Sequence, residues 1–317
     1  MSDPVTTVSA SDTADTGVTR VTRRTPPRPV DVEALFPELR PLRREAVRLH
    51  PRAGRPSFRD SSVGGPLLWP ADEPWPVCDA EHYERNSDTP YEGEVCLVPV
   101  VQVHRTDAPG LPFPPECDLL QVLWCPYDHG SPRCPLPQVH WRSAGSVKDV
   151  RETPVPHAEA SEYYVPDPCA VHPERVVEYP GWDLPEDLSD MLGARLDRLE
   201  RETGWHYQYH LAEAPGIKLG GYPSWTQEPV WPECGWCERR MDHLLTVSSW
   251  EYDGATWRTW LPVEDRATIG DGEPWSSEQA RAAQNPAGLM LGDTGGVYVF
   301  ECRSCSERPV AHWFDCS

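Results

Sequence analysis

Four cysteines carry the strongest chemical signal in this 317-residue chain. Cys234 and Cys237 form one C-x-x-C pair within PECGWC, and Cys302 and Cys305 form a second within FECRSC. Two such pairs brought together supply the four thiolates that a structural Zn²⁺ takes in a tetrahedron. The spacing leaves a second grouping open, because Cys302, Cys305, His312 and Cys316 spell a local C-x-x-C-x6-H-x3-C set of zinc-knuckle type. Reduced thiols packed as small apolar groups are the plain alternative to both.

Other constellations are weaker. Cys78, Cys125, His129 and Cys134 could gather a second metal, but Asp128 falls where the other half of the chain has Cys305, so a loop without metal is expected there. The stretch GDTGG at 292–296 stands one residue from the GDSGG around a chymotrypsin-like nucleophile. It has no companion His motif of that type, so a glycine-rich turn before a strand is the expectation. WHYQYH at 205–210 alternates like a strand with one aromatic face and brings no carboxylate that would make it catalytic. No P-loop, H-E-x-x-H or dinucleotide fingerprint occurs. The expectation is a protein with no catalytic residues and no organic cofactor, and with zinc in a structural role.

Strands and turns must position the cysteines. VYVFEC at 297–302 is a β-forming run that leads into the second pair, and a Pro- and Trp-rich approach leads into the first. The approach occurs twice. GGPLLWPADEPWPVC at 64–78 parallels GGYPSWTQEPVWPEC at 220–234, so that Gly64 and Gly65 match Gly220 and Gly221, Trp75 matches Trp231 and Cys78 matches Cys234. The runs at 97–103 and 119–128 follow in the order of 241–247 and 295–305, with Cys125 opposite Cys302. This predicts an α+β fold of two β-rich pseudo-repeats packed with approximate two-fold symmetry, with a zinc-ribbon-like site in the second.

The predicted organisation is a disordered tail over 1–29, a first repeat over 30–142, a connecting segment over 143–210 and a second repeat over 211–317. Leu184, Leu188, Met191, Leu192, Leu196 and Leu199 recur at helical spacing, which predicts an amphipathic helix over 184–203, started by Asp183 and stopped by Gly204. A short helix is expected in SSEQARAAQ, capped by Ser276 or Ser277. Short helical pieces broken at Pro37 and Pro41 are expected over 30–49, with Arg43, Arg44 and Arg48 facing solvent.

The formal net charge is −21. A chain this acidic repels a phosphate backbone, which makes nucleic acid an improbable partner and steers a basic protein toward it. The first thirty residues lack a secretory apolar core and no later run reaches the ~20 apolar residues of a membrane span, so a soluble cytoplasmic protein with reduced or metal-bound cysteines is expected.

The series KLGGYPSWTQ, C-x-x-C, LLTV and GDTGGVYVFECRSC resembles the YwqG-like family of bacterial proteins of unknown function. It is also similar to the programmed cell death protein 2 family, whose zinc-bearing halves carry an LGG-x-P-x-W, C-x-x-C and Y-V-F-x-C series. The chain departs from the pattern at Thr246, where the family has Gln, whereas Gln102 retains it. The resemblance implies two β-rich repeats, no established enzymatic activity, and a chaperone-like or toxin-immunity-like role toward a protein client. An enzyme with a pocket between the repeats and a zinc-dependent nucleic-acid binder are the competing expectations.

Overall fold

The computed structural model describes residues 22–85, 87–130, 133–269, 273 and 275–316. Its strands are β1 (Arg44–Arg48), β2 (Arg52–Ala53), β3 (Ser62–Val63), β4 (Val98–His104), β5 (Leu119–His129), β6 (Cys134–Arg142), β7 (Cys169–Ala170), β8 (Glu174–Glu178), β9 (Lys218–Gly220), β10 (Asp242–Ser248), β11 (Gly296–Glu301) and β12 (Val310–Asp315). The helices are α1 (Val32–Leu35), α2 (Glu186–Thr203), α3 (Tyr207–His210), α4 (Trp257–Trp260), α5 (Val263–Ile269) and α6 (Glu278–Gln284). The fold is α+β with two antiparallel sheets. No helix among the described residues is long and apolar enough to cross a membrane.

The chain forms two compact units. Unit 1 gathers Pro51–Val171 with Ala287–Leu289, and unit 2 gathers Arg23–His50, His172–Pro286 and Met290–Ser317. Residues 30–50, expected with the first repeat, belong to unit 2, because β1 is hydrogen-bonded between β8 and β9.

In unit 1 the sheet order is β2-β7-β3-β4-β5-β6. Strand β5 is buried at every position, which explains why LLQVLWCPYD reads as a continuous apolar run instead of an alternating one. Two glutamines cross this core in a closed hydrogen-bond set. Gln102 Oε1 accepts from Leu68 N at 2.8 Å and Gln121 Nε2 at 2.7 Å, while Gln102 Nε2 donates to Phe58 O and Asp60 O. Every buried polar atom of Gln102 is thereby satisfied.

In unit 2 the sheet order is β8-β1-β9-β10-β11-β12. Thr246 accordingly finds a local partner, with its hydroxyl 2.9 Å from His243 Nε2. Helix α2 buries Leu192 and Leu199 against Val32, Phe36, Leu39, Tyr179 and Tyr207, and leaves Met191 exposed. Gly204 ends the helix at φ 73°, the left-handed conformation that glycine adopts without strain. The start differs from expectation, since Pro185 occupies the N-cap and Asp183 is engaged elsewhere: its carboxylate accepts from the indoles of Trp225 and Trp231. Ser277 caps α6, its hydroxyl accepting from Ala280 N at 3.0 Å.

Three local expectations are corrected. Tyr207–His210 is a single helical turn, because alternation over six residues does not separate a strand from a turn whose Tyr207 and His210 both face inward. Arg48, expected in solvent, is fully buried; its guanidinium donates to Thr25 Oγ1 and Trp260 O, both at 2.9 Å. The segment expected as a disordered tail is held where it is described: Thr25 N and Oγ1 donate to the Glu174 carboxylate, Arg28 donates to Val177 O and Leu211 O, and the Arg28 guanidinium lies 5.2 Å from the Tyr179 ring centre. The remainder of that segment, residues 1–21, lies outside the described residues.

Candidate metal centres

The loop before β10 and the loop between β11 and β12 each carry one C-x-x-C turn. In the first, Cys234 N donates to Arg239 O and Glu238 N donates to Cys234 O, with Glu238 at φ 58°. In the second, Cys302 N donates to Pro309 O and Arg308, at φ 46°, donates its N–H to Cys305 O. A positive φ lets each loop double back within a few residues. Both turns rest on one hydrophobic cluster of Trp225, Met241, Tyr298 and Phe300, with Trp231 packed beside it.

The turns bring Cys234, Cys237, Cys302 and Cys305 together, with the four sulfurs within 4.8 Å of one another. Cys234 Sγ is 3.9 Å from Cys305 Sγ and Cys237 Sγ is 3.5 Å from Cys302 Sγ. Four sulfurs placed tetrahedrally at the ~2.3 Å of a zinc–thiolate bond stand about 3.8 Å apart, so this spacing fits such an ion. The N–H groups of Trp236 and Cys237 pull the Cys234 thiol down to about 7, while hydrogen bonding with Cys237 pushes Cys305 up to about 12. Four thiols this close ionise together only when a cation joins them. The local alternative is not formed: His312 lies on β12 opposite Val299, and the Cys316 side chain packs against Gly292 and Gly295.

Unit 1 contains a second group of ligand type: Cys78, His82, Cys125 and His129, again within 4.8 Å of one another. Residues four apart on a straight strand stand about 13 Å apart. Cys125 and His129 meet because the register of β5 against β6 breaks between them. Cys78 Sγ lies 3.2 Å from His129 Nε2. His129 Nδ1 is 2.9 Å from Tyr127 O and His82 Nδ1 is 2.9 Å from Ala80 O, so a backbone carbonyl takes the Nδ1 proton of each ring and leaves Nε2 as the donor atom. The Nε2 of His82 is buried with no hydrogen-bond partner, as a ligand atom would be. Hydrogen bonding with Cys125 and His129 lowers the Cys78 thiol, and the bond shared with Cys78 raises Cys125.

The sequence reading is therefore corrected in unit 1. Cys134 is not in the group; it sits on β6 opposite His129, where burial pushes its thiol up to about 12. Asp128 is not in the group either. Its carboxylate accepts from the Tyr164 hydroxyl at 2.9 Å, and the next residue, His129, is the one that joins the group. The missed signal was C-x3-H, present twice as Cys78/His82 and Cys125/His129.

The residues 292–296 form a turn, with Gly292 at φ 60° and Gly295 N donating to Leu291 O. A β-carbon on Gly295 would lie 1.9 Å from Asp315 O, so close backbone packing explains the glycine. The KLGG motif has its own role. Lys218 Nζ is 2.6 Å from Glu178 Oε1 with both side chains fully buried, and the Glu178 carboxylate also accepts from Ala214 N and Tyr222 N. Gly221 is required there, since a β-carbon would stand 2.2 Å from Glu178 Oε2.

No family model matches the chain, and no curated protein matches it. Among the described residues, two sets of four side chains could each hold a metal ion.

Proposed function

We propose that the protein is a non-enzymatic protein-binding module, stabilised by structural zinc and chaperone-like or immunity-like in its role. The observation that supports this reading is that each group offers four protein side chains. Four such ligands would fill a tetrahedral zinc and leave no position for water or substrate, whereas catalytic zinc keeps one open. The thiolate-rich donor sets favour zinc over calcium or magnesium, which take oxygen ligands.

Two further features support a protein client. Trp236 is 68% exposed at the tip of the first C-x-x-C turn, and an anchored, solvent-facing tryptophan suits the centre of an interface. The net charge of −21 favours a basic client. A gene duplication accounts for the two metal groups. It is supported by β3-β4-β5-β6 and β9-β10-β11-β12 running in the same antiparallel order, with Cys78 and Cys125 in the places of Cys234 and Cys302. The likeness to the YwqG-like and programmed cell death protein 2 families points to the same kind of role.

Capture of clients from the source cell in low salt, followed by association kinetics with the recovered protein, tests the reading. The association rate should fall steeply between about 0.05 and 0.5 M salt as the Debye length shrinks from above ~10 Å to about 4 Å. Trp236→Ala should weaken capture while metal content stays at the wild-type value. A client that binds equally fast at both salt concentrations, or that is indifferent to Trp236, removes the basic-client reading.

A further inference from the structure

Strand β8 is an outer strand of the unit 2 sheet, paired with β1. Residues 23–28 run alongside it. Arg23 Nη1 lies 2.8 Å from His172 Nε2, Thr25 N donates to Glu174 Oε2 at 2.8 Å, and Arg28 donates to Val177 O, each pair 149 residues apart in sequence. A constant offset means that the segment follows β8 in the same direction, residue for residue. It does not join the sheet, and no strand forms over 22–29. Pro26 and Pro27 have no N–H to give to a ladder, so side chains make the attachment instead.

The attachment is built from opposite charge. Arg23 Nε is 3.2 Å from both oxygens of Asp265, and Arg24 Nε is 3.0 Å from Glu264 Oε1, whose other oxygen accepts from Arg24 N at 2.8 Å. The Arg28 guanidinium lies 5.2 Å from the Tyr179 ring centre and 5.5 Å from that of Trp260, within range of attraction to both ring faces. From Arg20 to Val30 the sequence has no acidic residue, which sets this stretch apart in a chain of net charge −21. The fit is loose. A cavity of about 170 Å³ remains, lined by Thr25, Pro26 and Arg28 of the segment together with Val176, Thr259 and Trp260, and atoms that face a void forgo the contacts that close packing would give.

A sheet edge is a ready template for an added extended segment, and the side chains beside it decide which segment is accepted. We propose that the edge of β8, with Glu174, Glu264 and Asp265 as counter-charges and Tyr179 and Trp260 as stacking faces, is a docking surface for an extended arginine-bearing segment of a protein client, and that residues 23–28 occupy it in cis until such a segment displaces them. The tethered occupant shows the chemistry that the surface accepts: arginines five residues apart, a hydroxyl donor between them, and no acidic side chain. Its prolines and the unfilled cavity make it replaceable by a segment that packs more closely. The inference rests on the reading of the protein as a binder of a basic client and says where the client's arginines go.

The test uses the full, metal-loaded chain and a fluorescently labelled peptide with the sequence of residues 22–30, TRRTPPRPV; a peptide with its three arginines changed to alanine is the control. Binding is read by anisotropy. In the wild type the tethered copy competes at an effective concentration of the order of millimolar, so Arg23→Ala combined with Arg28→Ala should raise affinity for the added peptide more than about tenfold. Adding Glu264→Gln and Asp265→Asn to that protein should weaken the peptide about tenfold, and the alanine peptide should not bind. Hydrogen exchange on the wild type gives a measurement that needs no variant: excess peptide should speed exchange of the Arg24 and Thr25 amides while those of β1 and β9 stay protected. No saturation of the double variant below about 1 mM, equal binding of the alanine peptide, indifference to the carboxylate changes, or unaltered exchange at Arg24 and Thr25 overturns the proposal. A concentration-dependent dimer of the wild type that the double variant abolishes also overturns it, by making a second copy of the chain the occupant. Client capture that depends on Trp236 while the peptide fails to bind overturns this proposal and leaves the wider reading standing; peptide binding together with salt-independent client association does the reverse.

Discussion

Replacing Glu213 by Gln should stabilise unit 2 strongly at pH 8 and only slightly at pH 5. Burial raises this carboxyl from 4.5 to about 8. Between those values the folded protein keeps a proton that the unfolded chain has released, so folding stability falls as pH rises through the window. At about 1.4 kcal/mol per pH unit the full displacement corresponds to on the order of 5 kcal/mol, of which about 4 is reached by pH 8. The amide of Gln keeps the shape of the protonated acid and does not titrate, so the variant should escape this loss. Urea unfolding of the metal-loaded protein at intervals from pH 5 to pH 8.5, followed by tryptophan fluorescence, gives the comparison. With a slope of about 3 kcal/mol per molar urea, the variant's midpoint should exceed wild type by about 1.3 M at pH 8 and by only about 0.3 M at pH 5. Parallel pH profiles for the two proteins would refute the argument, because a carboxyl that is charged in the folded state would create no such divergence.

Elemental analysis should find two metal equivalents per chain, and Cys302→Ser should remove one of them and loosen unit 2, since ligation and folding of a structural site are coupled. In unit 1, His82→Ala should lose the other equivalent while Cys134→Ser keeps it; the opposite pattern would restore the ligand set suggested by the spacing alone. Cobalt substitution should give tetrahedral spectra for both groups, with a weaker thiolate charge-transfer band from the two-cysteine group than from the four-cysteine group. Lys218→Met strands the buried carboxylate of Glu178 and should cost about 3–5 kcal/mol in urea unfolding, whereas the double change with Glu178→Gln should recover a large part of that loss.

The sequence made legible what depends on local spacing. The paired cysteines of unit 2, the leucine stripe and Gly204 stop of α2, and the glycine turn before β11 could be read because their signals lie within one or two turns of chain. What escaped was set by partners far away in sequence. Arg48 reads as a surface arginine until Thr25, Trp260 and Glu251 are known to surround its guanidinium. His82 offers only its short C-x3-H spacing from Cys78, and it is the break in β5 returning His129 toward Cys125 that creates a group for it to join. Lys218 did leave a trace, as a lone charge between Ile217 and Leu219, but its partner Glu178 lies forty residues upstream on another strand.

The order of strands in unit 2 also governs how the chain can fold as it is made. Strand β1 is synthesised early, yet its neighbours are β8 and β9, and the sheet is completed only by β11 and β12 near residue 315. Pro51–Val171, which supplies nearly all of unit 1, is interposed between β1 and β8 in the sequence. A nascent chain therefore has every strand of unit 1 in hand while β1 still waits for partners over a hundred residues away. Closing such long loops is slow, and an unpaired strand is prone to wrong pairing in the interval. Early closure of the Cys78, His82, Cys125 and His129 group around a metal would commit the intervening segment to its own sheet and withdraw its strands from competition for β1.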